Sequence, residues 1–221
     1  MRIIILAAGH SFSMDGLVKC LIKNPFTKKT ILQHAIEAFE GHDICVVAGY
    51  KAVEIIQEFP NLGYIVNNEW SITSNSYSLG LALDDRPCYV LSSDLLFDRK
   101  ILGKMDKLDN AVLVENKENR TLTAIHCVVN SDDRIIESYV GPLRDVAHPE
   151  ALGIYKITSP DLLREWKTNC LQHGNLFVGQ NLPFAAGQSP ILAVDKGKDF
   201  FVEINTPLDY LSFIDKGYTV S

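Results

Sequence analysis

The chain lacks most of what would tie it to a disulfide scaffold, a membrane or a nucleic acid. Its five cysteines, Cys20, Cys45, Cys88, Cys127 and Cys170, are odd in number, widely spaced and never paired as CxxC. That usage fits buried thiols in a reducing compartment and fits poorly with a disulfide framework or a zinc knuckle. No apolar run approaches the ~18 residues needed to span a bilayer. The opening MRIIILAAGH is too short for a signal-peptide core and reads as a first strand, so a cytoplasmic protein is expected. Positive charge is in deficit: 21 Lys and Arg against 27 Asp and Glu leave −6. A general nucleic-acid surface needs clustered cations and is disfavoured. Internal repeats, low-complexity tracts and Gly/Ser linkers are missing. So are HExxH, a Ser–His–Asp order, GxGxxG and the P-loop GxxxxGK[ST].

What remains is an ordinary globular composition, 221 residues of which 47% are hydrophobic. A chain of that length buries ~70% of its unfolded surface without staples. Residues 2–8 (RIIILAA) form a continuous apolar run, as expected of a strand buried on both faces. Apolar residues at helical spacing predict a helix over 30–39, with Thr30 as its N-cap. A strand follows over 43–50, a helix over 51–59 ending before Pro60, and a strand over 63–68. Residues 67–76 are polar and read as a loop; 76–85 read as a helix, 88–94 as a strand and 98–108 as a helix. Three β-like runs follow, then a strand over 151–158, a helix over 159–172 begun by Ser159-Pro160, a strand over 200–205 and a helix over 206–217. This alternation predicts an α/β protein: a three-layer α/β/α sandwich around a mostly parallel, mixed sheet. Residues 1–221 read as one domain with a partly antiparallel insertion at about 115–150.

The first strand and its loop carry the strongest chemical signal. Ala7-Ala8-Gly9 at the end of a buried strand lets a ligand approach the backbone, and exposed N–H groups there can bind phosphate oxygens. Lys19, ten residues on, can return to neutralise the same phosphates. The bland alternative is an ordinary turn with a solvated lysine. Asp94 ends an apolar strand, where open α/β sheets bind ligands, although an acid there also suits a helix cap. Glu203 and Asn205 alternate with Val202 and Ile204 and so share one face of the last strand.

Taken in order, IILAAG (residues 4–9) with Lys19, SNSYSL (74–79), LSSD (91–94) and FVEINTPLDY (201–210) resemble nucleotidyltransferases of the nucleotide-diphospho-sugar transferase (Rossmann-like) fold. Within that group the resemblance is nearest to phosphocholine and phosphonate cytidylyltransferases. It covers nearly the whole chain. There are departures. The family's first loop usually reads LAAGxGxR, whereas this chain reads LAAGHSFSMDG, with Ser11 for the second glycine and no arginine before Lys19. Val18 stands where proline is usual, and Glu203-Ile204-Asn205 where EID is frequent.

The resemblance implies transfer of a nucleotidyl group, CMP from CTP being favoured, to a small phosphate or phosphonate acceptor with release of pyrophosphate. It implies Lys19 and Asp94 as catalytic residues, and Mg²⁺ held by Asp94, Glu203 and Asn205. Nucleotide contacts are expected from Leu6, Ala7, Ala8, Gly9, His10, Asn75, Ser76 and Ser78, with simple helix capping the alternative for the serines. Acceptor contacts are expected from Arg120, Tyr155 and Lys156. Trp70, Tyr77, Tyr139 and Trp166 are further aromatic candidates for a cationic acceptor, although an aromatic of this kind is more often core, Trp166 in its helix above all. Two other readings stay open at this point: a sugar-1-phosphate or other nucleotidyltransferase, and a degenerate nucleotide-binding regulatory domain.

Overall fold

The computed structural model describes residues 1–117, 120–184 and 189–215. Its elements run β1 (Arg2–Ala7), α1 (Ile31–Ala38), β2 (Asp43–Ala48), α2 (Ala52–Glu58), β3 (Gly63–Val66), α3 (Asn75–Ala82), β4 (Cys88–Ser92), β5 (Leu95–Phe97) and α4 (Lys100–Met105). Then follow β6 (Ala111–Glu115), β7 (Ile125–Val129), β8 (Ile135–Val140), β9 (Glu150–Ile157), α5 (Pro160–Gln172), β10 (Leu192–Asp195), β11 (Phe201–Glu203) and α6 (Pro207–Asp215).

The main sheet has the order β10-β6-β9-β4-β1-β2-β3. Every neighbouring pair in it is parallel except those made by β9, which runs against both β4 and β6. The run RIIILA sits at the centre because each face of β1 is covered. Ile4 and Leu6 enter one core layer with Leu79 of α3 and Leu162, Leu163 and Trp166 of α5. Ile3, Ile5 and Ala7 enter the other with Leu32 of α1, Ile55 of α2 and Ile101 and Met105 of α4. Alternation along one strand thus supplies two cores, and the expected α/β/α sandwich is what forms. Thr30 caps α1 by accepting from the Gln33 amide, and Ser159 caps α5 by accepting from the Leu162 amide.

Three details differ from the sequence reading. The strand expected over 88–94 ends at Ser92, so Asp94 lies in the turn before β5 and caps no helix. The β5 strand pairs antiparallel with β11 in a separate ribbon, whose Leu96 packs with Ile31, Ile204 and Phe213 of α6. Three apolar residues are too few to carry a period, so no local pattern marks the ribbon. The short edge strand β10 escaped notice for the same reason. β7 and β8 form a hairpin attached to β9 by the pair His126–Glu150. All five cysteines are free and buried. Among the described residues no helix is long and apolar enough to cross a membrane.

Candidate active site

The carboxyl ends of β1, β2, β3 and β4 share one edge of the sheet, where strand ends leave room for a ligand. Past Gly9 the chain makes two short 3₁₀ turns, the second beginning at Lys19. The Lys19 ammonium donates to Asp94 Oδ2 at 2.8 Å and to Asn205 Oδ1 at 2.7 Å. Two further bonds tie the segments together: Ile204 N–H donates to the Asp94 carbonyl at 3.0 Å, and the Ser13 hydroxyl donates to the Asn205 carbonyl at 2.6 Å. The Asp209 carboxylate accepts from the amides of Asn205 and Thr206 and so sets the angle at which α6 leaves the site.

The Lys19 and Asp94 side chains are only 18% and 14% exposed, so solvent screens their attraction weakly. The second Asp94 oxygen, Oδ1, is buried without a partner. Burial, and then the Asp94 charge, push the Glu203 carboxyl up to about 7, against the lowering effect of Asn205, Lys19 and Lys117. Burial and the same Asp94 charge raise the neighbouring Cys20 thiol to about 12, which disfavours the thiolate a nucleophile needs.

The donors at this centre are oxygens only: two carboxylates, one with an orphaned atom, and an amide carbonyl. Hard Mg²⁺ takes such ligands, needs only one or two carboxylates, and fills its remaining positions with phosphate oxygen and water. The residues therefore fit it. Among the described residues no cluster of three His, Cys, Asp or Glu exists that would suit a fully protein-coordinated metal.

Two cavities meet here. The smaller, about 170 Å³, is lined by Ala7, Ser11, Lys19, Ser92, Ser93 and Asp94 among others. The larger, about 910 Å³, is lined by Asn67, Trp70, Thr73, Ser74, Ser78 and Phe177 among others and carries no Lys, Arg, Asp or Glu. Leu6, Gly9, His10 and Asn75 belong to both. One wall of the large cavity is aromatic: the His10 and Tyr50 rings lie 4.3 Å apart, Tyr50 and Trp70 5.1 Å. Gly49 permits this. A Cβ there would stand 2.7 Å from the Ala8 carbonyl and 2.8 Å from Trp70 Cβ.

Known structures share this arrangement of strands. A CTP:phosphocholine cytidylyltransferase from Streptococcus pneumoniae matches with TM-score 0.80 at 18% identity, covering 98% of this chain and 99% of that one. The chain has the nucleotide-diphospho-sugar transferase fold. An inositol-1-phosphate CTP transferase from T. maritima shares it with TM-score 0.74 at 15% identity, over 100% of this chain and 97% of that one. A putative glucose-1-phosphate thymidylyltransferase from Bacillus anthracis does so with TM-score 0.77 at 16% identity, over 100% and 96%. The sequence matches no protein-family model and no curated protein.

Within this fold the residues expected at the nucleotide part ways. Leu6, Ala7, Ala8, Gly9 and His10 line one cavity or both. Asn75 Oδ1 accepts from the Val178 amide at 3.0 Å, which leaves its NH₂ group at the junction of the cavities. Ser78 lines the large cavity and accepts from Asn67 Nδ2 at 3.0 Å. Ser76 must be corrected: it is fully buried, accepts from Asn181 Nδ2 at 2.6 Å, and lines neither cavity.

The expected acceptor residues do not gather. Tyr155 is core, packed on Trp166 at 5.7 Å, and burial holds its hydroxyl far above the usual range. Lys156 is buried at the opposite end of β4, paired with Tyr89, and donates to the carbonyls of Met105, Asp106 and Leu108. Arg120 is a clasp between its own loop and the one before β9, bonded to the Lys117 carbonyl and Asn116 in the first and to the His148 carbonyl in the second. Trp70 belongs to the aromatic wall of the large cavity. Tyr139 lies under the Arg144 guanidinium at 3.9 Å and hydrogen-bonds His148. Sequence reasoning missed Tyr50 and Asn67. Both follow strands of the same parallel set, so strand-end position was the available signal.

Lys156→Met accordingly should cost about 1–3 kcal/mol of stability by stranding buried carbonyls and leave steady-state kinetics unchanged. Melting curves beside turnover measurements check this; a raised KM for any acceptor would return Lys156 to the site.

Proposed function

We propose that the protein is a nucleotidyltransferase that joins a phosphate or phosphonate acceptor to the α-phosphorus of a nucleoside triphosphate, CTP being favoured, and releases pyrophosphate. One observation carries this reading. An uncharged cavity with an aromatic wall and amide and hydroxyl edges opens directly into a small polar cavity holding Lys19 and Asp94. The first suits a base and ribose, the second a triphosphate. The ordered motifs of the sequence and the shared fold support the same reading, and the free, buried cysteines suit work in the cytoplasm.

The acceptor oxygen is already anionic near neutral pH, so the reaction needs no strong base. Its obstacles are repulsion between two anions and charge growing on the α-phosphate and the leaving pyrophosphate. Positioning and electrostatic stabilisation meet both. Lys19, a point charge on a flexible stem, can follow the negative charge toward the leaving group. Asn75 presents donors where base-side and phosphate-side cavities join. Asp94, Glu203 and Asn205 would hold Mg²⁺, which supplies Lewis-acid neutralisation of phosphate charge.

The test is pyrophosphate release with Mg²⁺ and CTP, UTP, dTTP, GTP or ATP in turn. Each is combined with phosphocholine, 2-aminoethylphosphonate, 2-hydroxyethylphosphonate and several sugar 1-phosphates. Release with CTP and a phosphate or phosphonate acceptor is expected. Release with dTTP or GTP and a sugar 1-phosphate would replace the cytidylyl assignment within the same chemistry. No release, and no nucleotide-dependent rise in melting temperature, would overturn the reading.

A further inference from the structure

The most unusual contact at the site is the one Lys19 makes. A lysine that lines the small cavity, where phosphates would sit, is instead bonded to two oxygens, Asp94 Oδ2 at 2.8 Å and Asn205 Oδ1 at 2.7 Å. Those two oxygens, with Glu203 and the unpartnered Asp94 Oδ1, are the ones a divalent cation would take. Mg²⁺ needs its ligands at ~2.0–2.1 Å, so it cannot take Asp94 Oδ2 and Asn205 Oδ1 while the ammonium bridges them. Two positive charges so close, in a pocket this little exposed, also repel with weak screening. Lys117 adds to the local balance from the other side. Its field acts on Glu203, while its own ion pairs to Glu150 and Glu115 are loose, at 3.5 and 3.7 Å.

We propose that Lys19 is the resident counter-ion of this centre, and that a divalent cation enters only together with a nucleoside triphosphate, whose phosphates draw the ammonium off Asp94 and Asn205. The inference rests on the nucleotidyltransferase reading and adds an order to it: free metal is excluded, and the metal–nucleotide complex is the species admitted. The lysine needs no loop movement to make the exchange. It lines the same small cavity as Ala7, Gly9 and Ser11, so rotation about its four-carbon stem carries the ammonium from the carboxylate side to the phosphate side. On release of the nucleotide it returns to Asp94 and keeps the carboxylate pair from standing unneutralised.

Mn²⁺ is the probe, followed by water-proton relaxation, which separates the ion on protein from the ion on free nucleotide. Wild type, Lys19→Arg and Lys19→Met are compared without nucleotide and with the α,β-methylene analogues of CTP, UTP, GTP and ATP. Melting curves verify the fold of each. Without nucleotide, Lys19→Met should bind Mn²⁺ at least about tenfold more tightly than wild type, and Lys19→Arg, which keeps the charge, should bind as weakly as wild type. With the matching analogue, wild type should acquire protein-bound Mn²⁺. The double variant Lys19→Met/Asp94→Asn should lose the tight binding, which assigns the ion to this centre. Equal Mn²⁺ affinity of wild type and Lys19→Met without nucleotide overturns the proposal and leaves the nucleotidyltransferase reading standing. Tight binding that survives in the double variant overturns it too. If no analogue brings Mn²⁺ to the protein or shifts its melting temperature, the reading beneath it falls as well.

Discussion

Asp94→Asn is expected to lower kcat for pyrophosphate release by roughly 10²–10³-fold or more, the size seen when one preorganised charge-stabilising group is removed from a transition state. The substitution keeps the shape and the acceptor for Lys19 while deleting the charge. The Asp94 carbonyl still accepts from Ile204, and Lys19 retains Asn205, so the turn between β4 and β5 survives. KM for the nucleotide should change far less than kcat, because the large cavity is untouched. Initial rates and nucleotide-dependent melting on the same preparation separate the two. A variant within about tenfold of wild type would remove Asp94 from the chemistry.

Glu203→Gln should do the opposite to stability. In the metal-free protein, burial and the Asp94 charge move the Glu203 carboxyl from its ordinary 4.5 to about 7. The folded state therefore holds this proton more firmly than the unfolded chain does. The group's contribution is fully present below about pH 4.5 and is lost as pH rises through about 7, so ionised Glu203 works against folding at pH 8. A displacement of that size corresponds to roughly 3 kcal/mol as an upper bound, or about 5–10 °C in Tm for a chain of this length. Wild type and Glu203→Gln should melt together near pH 4 and below, where the Glu203 carboxyl is neutral in the folded and largely neutral in the unfolded chain. At pH 8 the variant should melt higher, and it should have lost turnover. Lower stability of the variant at pH 8 would show that Glu203 is held by favourable contacts instead. Such a trade is expected where a site keeps like charges close for a cation.

Much of the fold is legible because its strongest element is unambiguous. Six residues with an unbroken apolar run can be satisfied only between two neighbours and two helical layers, and β1 has both. The meeting of Lys19 and Asp94 was readable for a related reason: each follows a strand, β1 or β4, whose direction the parallel alternation fixes, whereas Asn205 follows β11 of the separate antiparallel ribbon. The acceptor side was not readable, and β9 shows why. Tyr155 and Lys156 lie late in that strand. In a parallel strand they would stand at the site edge, but β9 runs antiparallel, which sends them to the far edge and brings Glu150 to the near one. Strand direction leaves no mark on local composition. Ser76 and Ser78 part by phase alone: α3 begins at Asn75, so Ser76 turns toward Cys170 and Asn181 while Ser78 meets Asn67 and lines the large cavity.

The bonds from Ser13 and Lys19 to Asn205 also bear on the order of events during synthesis. They join positions 192 and 186 residues apart, among the most distant pairings in the chain and the slowest kind to close. A nascent chain that has not yet delivered residues 201–210 can already pair β1, β2, β3 and β4. It holds the two cavities in outline, yet Asp94 has neither Glu203 nor Asn205 beside it. Activity should therefore appear only after β11 and α6 have left the ribosome, and loss of those two segments should silence the protein even where the sheet persists.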